Sequence, residues 1–350
     1  MVKMAPVIAA LRARLPDARH ALVHTGQHYD ELMSDVFLDE LDVPAPDHSL
    51  EVGSGSHAEQ TALVLERITP VLAEEEPDLV LVPGDVNSSL AAALAAAQAG
   101  IDVAHVESGL RSFDRSMPEE TNRIVVDELS SMLFLHSEEG AENLRAEGVA
   151  EERLHFVGNT MIDTLVALED AFRARGAAAE LGVEPGRYLL VTLHRPALVD
   201  GPLLDAAMEA LATVSADLPV VFPVHPRTRA RLEAEGLEAE GVRLVEPVGY
   251  LDFLSLEADA AAVVTDSGGI QEETTFLGVP CFTLRDNTER PVTVRAGTNT
   301  LLGLAPERIA EIPELIAGLA PAPAQPPPLW DGHAAERIAD VVEELAAGAK

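Results

Sequence analysis

The chain is poor in cysteine and in long hydrophobic runs, and each shortage excludes a class of protein. Its 350 residues include one cysteine, Cys281, which excludes an intrachain disulfide and a cysteine-based metal cluster. This composition fits a reducing compartment, and we expect a cytoplasmic protein. The most apolar long stretch, residues 90–106, is rich in alanine and carries Gln98 and Asp102. We therefore predict no membrane-spanning segment there.

Positive charge is also scarce. Lys+Arg is 24 against 59 Asp+Glu, so the formal net charge is −35, and lysine occurs only at Lys3 and Lys350. Nucleic acids and anionic membranes require a cationic surface, so neither is expected as a partner. Dense carboxylates with few lysines are typical of salt-accumulating halophiles, because high salt screens the repulsion between hydrated carboxylates. The alternative interpretation is an acidic protein from a mesophile with a GC-rich genome.

What the sequence does contain is an alternation of short β-branched runs, polar or glycine-bearing loops and amphipathic helices. Such alternation predicts an α/β fold with parallel sheets, and the chain is long enough for two Rossmann-like domains. We expect these domains at residues 1–158 and 159–328, with 329–350 forming a last helix that packs back across them. The predicted strands are 21–24, 79–82, 103–106, 132–136 and 155–157, then 188–192, 220–224, 243–245, 262–265 and 281–283.

In the first half, carboxylates follow the predicted strands. Asp85 comes just after the strand at 79–82, and Glu107 just after the strand at 103–106. Ligands of open parallel sheets bind beyond the carboxyl ends of the strands, and clustered carboxylates suit general acid and base chemistry. Glu119 and Glu120 join this group as candidates. Their alternative role is to complement the dipole of a first helical turn, and an acidic chain has many merely solvated carboxylates.

In the second half, the clearest feature is a glycine turn. Ser267, Gly268 and Gly269 precede a predicted helix, so free backbone N–H groups and the positive end of the helix dipole would face an anion. A plain helix cap explains the turn equally well. The cationic residues His194 and Arg195, which follow another strand of this half, favour a diphosphate.

Histidine and phenylalanine are two further residue types that can act as ligands. The eleven histidines show no paired metal-binding spacing, so no metal site is predicted. Phe253 could stack on a nucleobase, although packing in a core is the commoner role of a phenylalanine.

The chain resembles the non-hydrolysing UDP-N-acetylglucosamine 2-epimerases along essentially its whole length. The resemblance implies two Rossmann-like domains in the glycosyltransferase-B arrangement, a site between them, and no metal or nicotinamide cofactor. It also implies reversible conversion of UDP-GlcNAc into UDP-ManNAc by anti elimination of UDP to a 2-acetamidoglucal and its re-addition. The most specific matching runs are His105-Val106-Glu107-Ser108-Gly109-Leu110-Arg111, Thr265-Asp266-Ser267-Gly268-Gly269-Ile270-Gln271-Glu272-Glu273 and Arg285-Asp286-Asn287-Thr288-Glu289-Arg290-Pro291.

The same resemblance implies roles for individual residues and a homodimeric assembly. The implied acid and base carboxylates are Asp85, Glu107 and Glu119, with Lys3 as an active-site cation. The implied UDP ligands are His194, Arg290 and the turn Ser267, Gly268 and Gly269 for the diphosphate, Glu273 for the ribose and Phe253 for the uracil. The alternatives are a hydrolysing 2-epimerase that releases ManNAc and UDP, a glycosyltransferase, and a catalytically inactive UDP-sugar-binding protein.

The sequence departs from the family pattern in two places. Members begin with a strand and a Gly-Thr-Arg-Pro-Glu loop before the residues that match Val2 and Lys3. We expect that a misassigned start codon accounts for the absence of both here, and the alternative is a true truncation. Many bacterial members also carry His-Arg-x-Glu-Asn, where this chain has Ala197 and Leu198. Allosteric activation by UDP-GlcNAc, which uses that region, is therefore not expected.

Overall fold

A computed structural model describes residues 1–26, 40–237, 240–319 and 325–348. The chain forms two compact units. One comprises Met1–Val166 together with Pro328–Lys350, and the other comprises Ala167–Pro327. Part of the proline-rich segment ahead of the last helix, residues 320–324, lies outside the described residues.

The first segment of the N-terminal unit alternates helices and strands. Strands β3 to β6 form a four-stranded parallel sheet in chain order, and β1 pairs with β2 in a separate parallel ladder. The elements are α1 (Ala5–Arg14), β1 (Val23–His24), β2 (His48–Ser49), α2 (His57–Glu75), β3 (Leu79–Pro83), α3 (Asn87–Gln98), β4 (Asp102–Ser108), α4 (Pro118–Leu129), β5 (Met132–Leu135), α5 (Glu138–Ala146), a 3₁₀ turn (Glu151–Arg153), β6 (Leu154–Phe156) and α6 (Thr160–Ala167).

Local sequence explains how these helices begin and which face they bury. Ser56 accepts a hydrogen bond from the Glu59 N–H while the Glu59 side chain returns to the Ser56 N–H, a capping box that starts α2. One face of α2 is then buried by Val64, Ile68 and Leu72, which recur every four residues. Strand β4 is buried over six of its seven residues, as expected for a central parallel strand.

The C-terminal unit is a doubly wound sheet of six parallel strands in the order β12-β11-β10-β7-β8-β9. The order reverses between β7 and β10, which creates a switch point of the kind where open α/β sheets bind ligands. The elements are α7 (Glu169–Arg175), α8 (Ala177–Glu180), β7 (Leu189–Thr192), α9 (Pro196–Val199), α10 (Leu203–Ser215), β8 (Val220–Pro223), α11 (Pro226–Glu235), β9 (Val242–Val245), α12 (Tyr250–Ala258), β10 (Ala262–Thr265), α13 (Gly268–Leu277), β11 (Cys281–Thr283), α14 (Pro291–Arg295), β12 (Asn299–Leu301), a 3₁₀ turn (Pro306–Glu311) and α15 (Ile312–Gly318).

The last helix, α16 (Ala334–Gly348), returns to the N-terminal unit and packs on α1. Ile338 and Val342 of α16 share a hydrophobic cluster with Val7 and Leu11 of α1. The Asp163 carboxylate of α6 accepts hydrogen bonds from the first N–H groups of α16, those of Ala334 at 3.1 Å and Ala335 at 2.6 Å. The N-terminal unit is therefore built from both ends of the chain.

The predicted α/β class and all ten predicted strands are confirmed. Strands β2 and β12 were not predicted, because their sequences, His48-Ser49 and Asn299-Thr300-Leu301, contain no run of β-branched apolar residues. Within the part of the chain that the structure describes, no helix is both long and apolar enough to cross a bilayer.

Candidate active site

Strand β4 ends in a bulge that re-aims Glu107. The β4–β5 register shifts between Val106 and Ser108, and Glu107 between them has a φ of +69°. A left-handed conformation is costly for a residue with a Cβ, and such strain persists where the surrounding contacts enforce it, often at active sites. The Glu107 side chain is buried and forms an ion pair with Lys3 Nζ. The structure thus brings together two residues predicted for the site.

Asp85 follows β3 in the same unit and also faces a cation. Its Oδ2 lies 2.6 Å from Nη2 of Arg123, a buried residue of α4. The Asp85 carbonyl accepts a hydrogen bond from Asn122 Nδ2 at 2.8 Å. Asp85 and Glu107 are therefore each paired with a basic residue, of which Lys3 was predicted for the site and Arg123 was not.

Glu119 and Glu120 occupy the first turn of α4 and have different environments. Glu120 is buried, and its carboxylate accepts hydrogen bonds from the Ser112 and Phe113 N–H groups at 2.8 and 3.0 Å. It also pairs with Arg123 at 2.8 Å. Glu120 thus holds a loop and a cation in place, while Glu119 is half-buried and has no hydrogen bond or ion pair to the described residues. Of the two, Glu119 has the more accessible carboxylate, and its role in the chemistry stays a prediction.

A buried charged network lies behind these carboxylates. His105 Nδ1 is 2.7 Å from Asp127 Oδ1, and His105 Nε2 is 2.8 Å from the Gly84 carbonyl oxygen. Asp127 Oδ2 is 2.7 Å from Arg111 Nη1. Burial opposes ionisation of Asp127, but His105 and Arg111 outweigh it and hold the pKa of this carboxyl below its ordinary value.

In the C-terminal unit, residues from two neighbouring strands meet at the switch point. Asp266, just after β10, accepts hydrogen bonds from the backbone N–H groups of His194 and Arg195, which follow β7, at 2.8 and 2.7 Å. His194 Nδ1 is 2.9 Å from Asp266 Oδ1, and the histidine side chain is 43% exposed. Burial opposes ionisation of Asp266, yet His194 lowers the pKa of the carboxyl below its usual range. The partly exposed His194 ring therefore faces the Asp266 carboxylate with its Nδ1.

The glycine turn also lies at this switch point. Ser267 is the residue before α13 and makes no side-chain capping bond, so its Oγ does not compete for the first N–H groups of the helix. These N–H groups have no partner within the helix, and they point out of its positive end. The turn therefore has the composition and the position of an anion site.

Arg290 lies against the glycine turn but is buried in an ion-pair network. Its Nε is 2.8 Å from Glu272 Oε1, and its Nη1 pairs with Glu289. Glu289 in turn pairs with Arg285 at 2.6 Å. A Cβ at Gly268 would lie 2.4 Å from Arg290 Nη1, so only glycine permits this approach. The structure places Arg290 next to the turn, and its direct contact with a diphosphate stays a prediction.

Glu273 and Phe253 lie deeper in the unit. Tyr250 Oη donates a hydrogen bond to Glu273 Oε1 at 2.7 Å, and both residues are buried. Burial and then the Glu273 carboxylate raise the pKa of the Tyr250 hydroxyl well above its ordinary value. Phe253 is half-buried and packs against the core cluster that contains Tyr188 and Leu256. The predicted contacts of Glu273 with ribose and of Phe253 with uracil stay predictions.

Sequence analysis did not identify the partners that hold these residues. Glu120 and Arg123 have the i,i+3 spacing of a helical ion pair, and this spacing could have identified Arg123. His105 lies two residues before Glu107, and in a regular strand this spacing would place the two side chains on the same side, a second available signal. Asp127 and Asp266 act through contacts between distant segments, and no local pattern marks such contacts. No group of three or more His, Cys, Asp or Glu side chains suited to a metal ion occurs among the described residues.

Comparison with known proteins points to one family. The sequence profile of that family, UDP-N-acetylglucosamine 2-epimerase, matches residues 10–343. A protein named UDP-N-acetylglucosamine 2-epimerase from Methanocaldococcus jannaschii is 44% identical over 329 residues, which cover 90% of this chain and 89% of the relative. A UDP-2,3-diacetamido-2,3-dideoxy-D-glucuronate 2-epimerase from Pseudomonas aeruginosa is 42% identical over 295 residues, covering 83% and 82%.

Solved structures agree with this result. The crystal structure of the M. jannaschii UDP-GlcNAc 2-epimerase in complex with UDP-GlcNAc and UDP superposes with a TM-score of 0.88 at 41% sequence identity. The match covers 98% of this chain and 96% of that chain.

Proposed function

Because the chain belongs to the UDP-N-acetylglucosamine 2-epimerase family, we propose that it reversibly converts UDP-GlcNAc into UDP-ManNAc by inverting carbon 2. The observation that carries the proposal furthest is the Glu107 bulge, where a buried carboxylate in a strained conformation is paired with Lys3. Asp85 with Arg123 supplies a second carboxylate of the same kind. Two such groups suit a reaction in which a proton leaves one face of a carbon and returns to the other.

The chemistry balances without an added reactant. A carboxylate removes the proton from carbon 2, the bond between carbon 1 and the phosphate oxygen breaks, and UDP leaves with the bonding electrons to give a 2-acetamidoglucal. The UDP oxygen then bonds again to carbon 1, and carbon 2 takes a proton on the opposite face. The proposed acid and base groups are Asp85, Glu107 and Glu119. Lys3 partly neutralises the negative charge around them.

The C-terminal unit is proposed to hold UDP throughout this cycle. His194, Arg290 and the turn Ser267, Gly268 and Gly269 would bind the diphosphate, which gains negative charge as it leaves. Backbone N–H groups at a helix start and a partly exposed histidine are suited to that charge. Glu273 would accept hydrogen bonds from the ribose hydroxyls, and Phe253 would lie beside the uracil.

The mechanism is tested by isotope exchange at carbon 2. We expect UDP-GlcNAc and UDP-ManNAc recovered from deuterated water to carry deuterium at carbon 2, because the abstracted proton exchanges with solvent. NMR of the purified nucleotide sugars measures the incorporation. Epimerised product that retains its original hydrogen would overturn the mechanism, and release of free ManNAc with UDP would show the hydrolysing reaction instead.

The division of roles between the units is tested by matched variants. Asp85→Asn and Glu107→Gln should lower kcat by about 10²–10⁴-fold, typical of acid and base groups, while UDP still binds. Ser267→Ala should instead weaken UDP binding, since a hydrogen bond to a charged group is worth roughly 1.5–3 kcal/mol. Asp102→Asn, an exposed carboxylate on β4, is the control and should leave both quantities unchanged. Near-normal kcat in both Asp85→Asn and Glu107→Gln would exclude these two carboxylates from the mechanism.

A second candidate substrate comes from the P. aeruginosa relative, which is named for a 2,3-diacetamido glucuronate and has an identity similar to that of the UDP-GlcNAc enzymes. Both sugars carry a 2-acetamido group, so one elimination mechanism serves both. Parallel assays with the two UDP sugars decide between them: kcat/KM for UDP-GlcNAc should be the larger, and the reverse order would reassign the substrate.

We propose further that the protein is a cytoplasmic homodimer. The cytoplasmic assignment is supported by cysteine usage, since the lone Cys281 cannot form an intrachain disulfide. The dimer is supported by the family resemblance. Light scattering during gel filtration in molar KCl should give twice the chain mass of 37.2 kDa, and a monomeric mass would contradict the proposal.

A further inference from the structure

The peptide groups next to Asp85 and Glu107 converge on one buried pair, His105 and Asp127. His105 is a fully buried residue of β4, and Asp127 is a buried residue of α4. Neither was predicted to act in the site, and neither has been given a role in the reaction above. Their contacts nevertheless reach both strand ends that carry the proposed acid and base groups.

The first contact fixes the peptide that precedes Asp85. His105 Nε2 is 2.8 Å from the carbonyl oxygen of Gly84, and the Gly84 N–H donates to the Val106 carbonyl at 2.9 Å. Gly84 has a φ of +58°, so this turn relies on such bonds to keep one conformation. Because the Gly84 carbonyl belongs to the peptide that joins Gly84 to Asp85, its direction sets the direction of the Asp85 backbone.

The second set of contacts brackets Glu107. Asp127 Oδ1 holds His105, two residues before Glu107, and Asp127 Oδ2 accepts the N–H of Gly109, two residues after it, at 3.2 Å. Both residues that flank the bulge are thus tied to a single carboxylate. Since the left-handed conformation of Glu107 is strained, it persists only if its flanks are held, and Asp127 holds both.

Hydrogen-bond chemistry shows how closely the pair is matched. Both ring nitrogens of His105 lie within hydrogen-bond distance of acceptor oxygens, Asp127 Oδ1 at 2.7 Å and the Gly84 carbonyl oxygen at 2.8 Å. Arg111 takes the other oxygen of the Asp127 carboxylate. Arg111 also pairs with Glu147 at 2.7 Å, so each oxygen of Asp127 faces a partner that is itself held on its other side.

We propose that His105 and Asp127 are positioning residues that set Asp85 and Glu107 in their working geometry through the Gly84 carbonyl and the Gly109 N–H. The proposal rests on the function proposed above and assigns these residues no contact with the substrate. It predicts that hydrogen-bond geometry, rather than the charge of Asp127, is what the reaction needs.

Two substitutions at Asp127 separate geometry from charge. In Asp127→Asn the amide can donate to a neutral His105 Nδ1 while its oxygen still accepts from Gly109 and Arg111, so every contact survives without the charge. Asp127→Leu removes them all. A misplacement of about 1 Å costs roughly 100-fold in rate, so we expect kcat to fall about 100-fold in Asp127→Leu and less than about tenfold in Asp127→Asn. KM and the Kd for UDP should change little in either.

A further variant, a matched control and a folding measurement keep the test decisive. His105→Gln retains one of the two histidine contacts, so its kcat should lie between those of Asp127→Leu and Asp127→Asn. It replaces Asp127→Leu if that variant does not fold. His155→Asn is the matched control, since His155 lies on β6 of the same sheet and its ring packs near Phe134 with centroids 5.7 Å apart. Thermal melts show the folded fraction, by which kcat is normalised.

Amide hydrogen exchange tests whether Asp127 holds the Gly109 N–H, and it needs no assay of turnover. The Gly109 N–H should exchange faster in Asp127→Leu and remain protected in Asp127→Asn. Equal losses of kcat in the two Asp127 variants, unchanged kcat in both, or unchanged Gly109 protection in Asp127→Leu would each overturn the proposal. Failure of the wild-type enzyme to epimerise either UDP sugar would instead count against the proposed function. The exchange measurement would still decide whether Asp127 holds the Gly109 N–H.

Discussion

Asp85 and Glu107 are each compensated by one basic residue, Arg123 and Lys3, in a chain with few basic residues to spare. Lys3 is one of only two lysines, and both pairs lie in a protein of net charge −35. Such local pairing orients each carboxylate, and it keeps its strength in salt better than an exposed pair does, because a partly buried pair is screened much less.

Gly268 gives a residue-scale prediction for the UDP site. In Gly268→Ala the new Cβ would lie 2.4 Å from Arg290 Nη1, and Arg290 is too buried and too well paired to move away cheaply. We expect the Kd for UDP to rise about tenfold or more, the equivalent of about 1.4 kcal/mol. Calorimetry with UDP measures this. Gly201→Ala is the control, since no atom lies within 4 Å of a Cβ there. Equal affinity in both variants would place the UDP site elsewhere.

Glu257 gives a residue-scale prediction for pH. It is fully buried, and neither carboxyl oxygen has a hydrogen-bond partner among the described residues. Burial and then the Glu273 carboxylate raise the pKa of Glu257 well above its ordinary value. The folded protein therefore keeps a proton that the unfolded chain releases above a pH of about 4.3, so stability falls as pH rises from there by up to about 1.4 kcal/mol per pH unit.

Glu257→Gln should remove that slope, because glutamine resembles the neutral acid and does not titrate. Denaturant unfolding at several pH values in constant molar KCl measures the free energy of unfolding. The gain of the variant over the wild type should grow from pH 5 to pH 8. Glu209→Gln, an exposed position on α10, is the control and should show no such growth. Parallel curves for the wild type and Glu257→Gln would contradict the neutral state of Glu257.

At the scale of secondary structure elements, Asp163 attaches the last helix to the N-terminal unit. Asp163→Ala removes the acceptor for the Ala334 and Ala335 N–H groups and should cost roughly 0.5–2 kcal/mol, as for other lost helix caps. Asp163→Asn should restore about half of this stability, since its amide oxygen can accept from one of the two N–H groups while its NH2 group cannot accept from the other. Thermal unfolding measures both. If alanine and asparagine behave alike, the carboxylate does not cap α16.

Most elements could be predicted from the sequence, and the contacts between them could not. The strands beside Asp85 and Glu107 are apolar runs that end abruptly in polar residues, a pattern that is local and easily detected. The pairing of His105 with Asp127 joins residues 22 positions apart, on a strand and a helix, and depends on how α4 packs over β4. The same limit applies to Asp266, which accepts a hydrogen bond from the backbone N–H of His194, 72 residues away along the chain.

At the scale of the whole molecule, charge predicts the response to salt. The Debye length falls from about 30 Å at 0.01 M to about 3 Å at 1 M, so carboxylate repulsion that opposes the compact state is screened in molar salt. We expect the melting temperature to rise steeply from low to molar KCl. Gains beyond that range would require preferential hydration or ion binding at the acidic surface, and sucrose melts serve as the uncharged control. A flat or falling melting temperature would leave the acidity as composition bias alone.

The return of α16 to α1 has a consequence for synthesis on the ribosome. The C-terminal unit is one continuous stretch, Ala167–Pro327, whereas the N-terminal unit also needs Pro328–Lys350. Translation proceeds from the N-terminus, so the unit that is started first is completed last. The apolar side chains of Val7 and Leu11 therefore stay uncovered until Ile338 and Val342 have been synthesised. During that interval a nascent chain exposes an apolar surface that a released chain buries, and it is then that chaperone binding or aggregation would compete with folding.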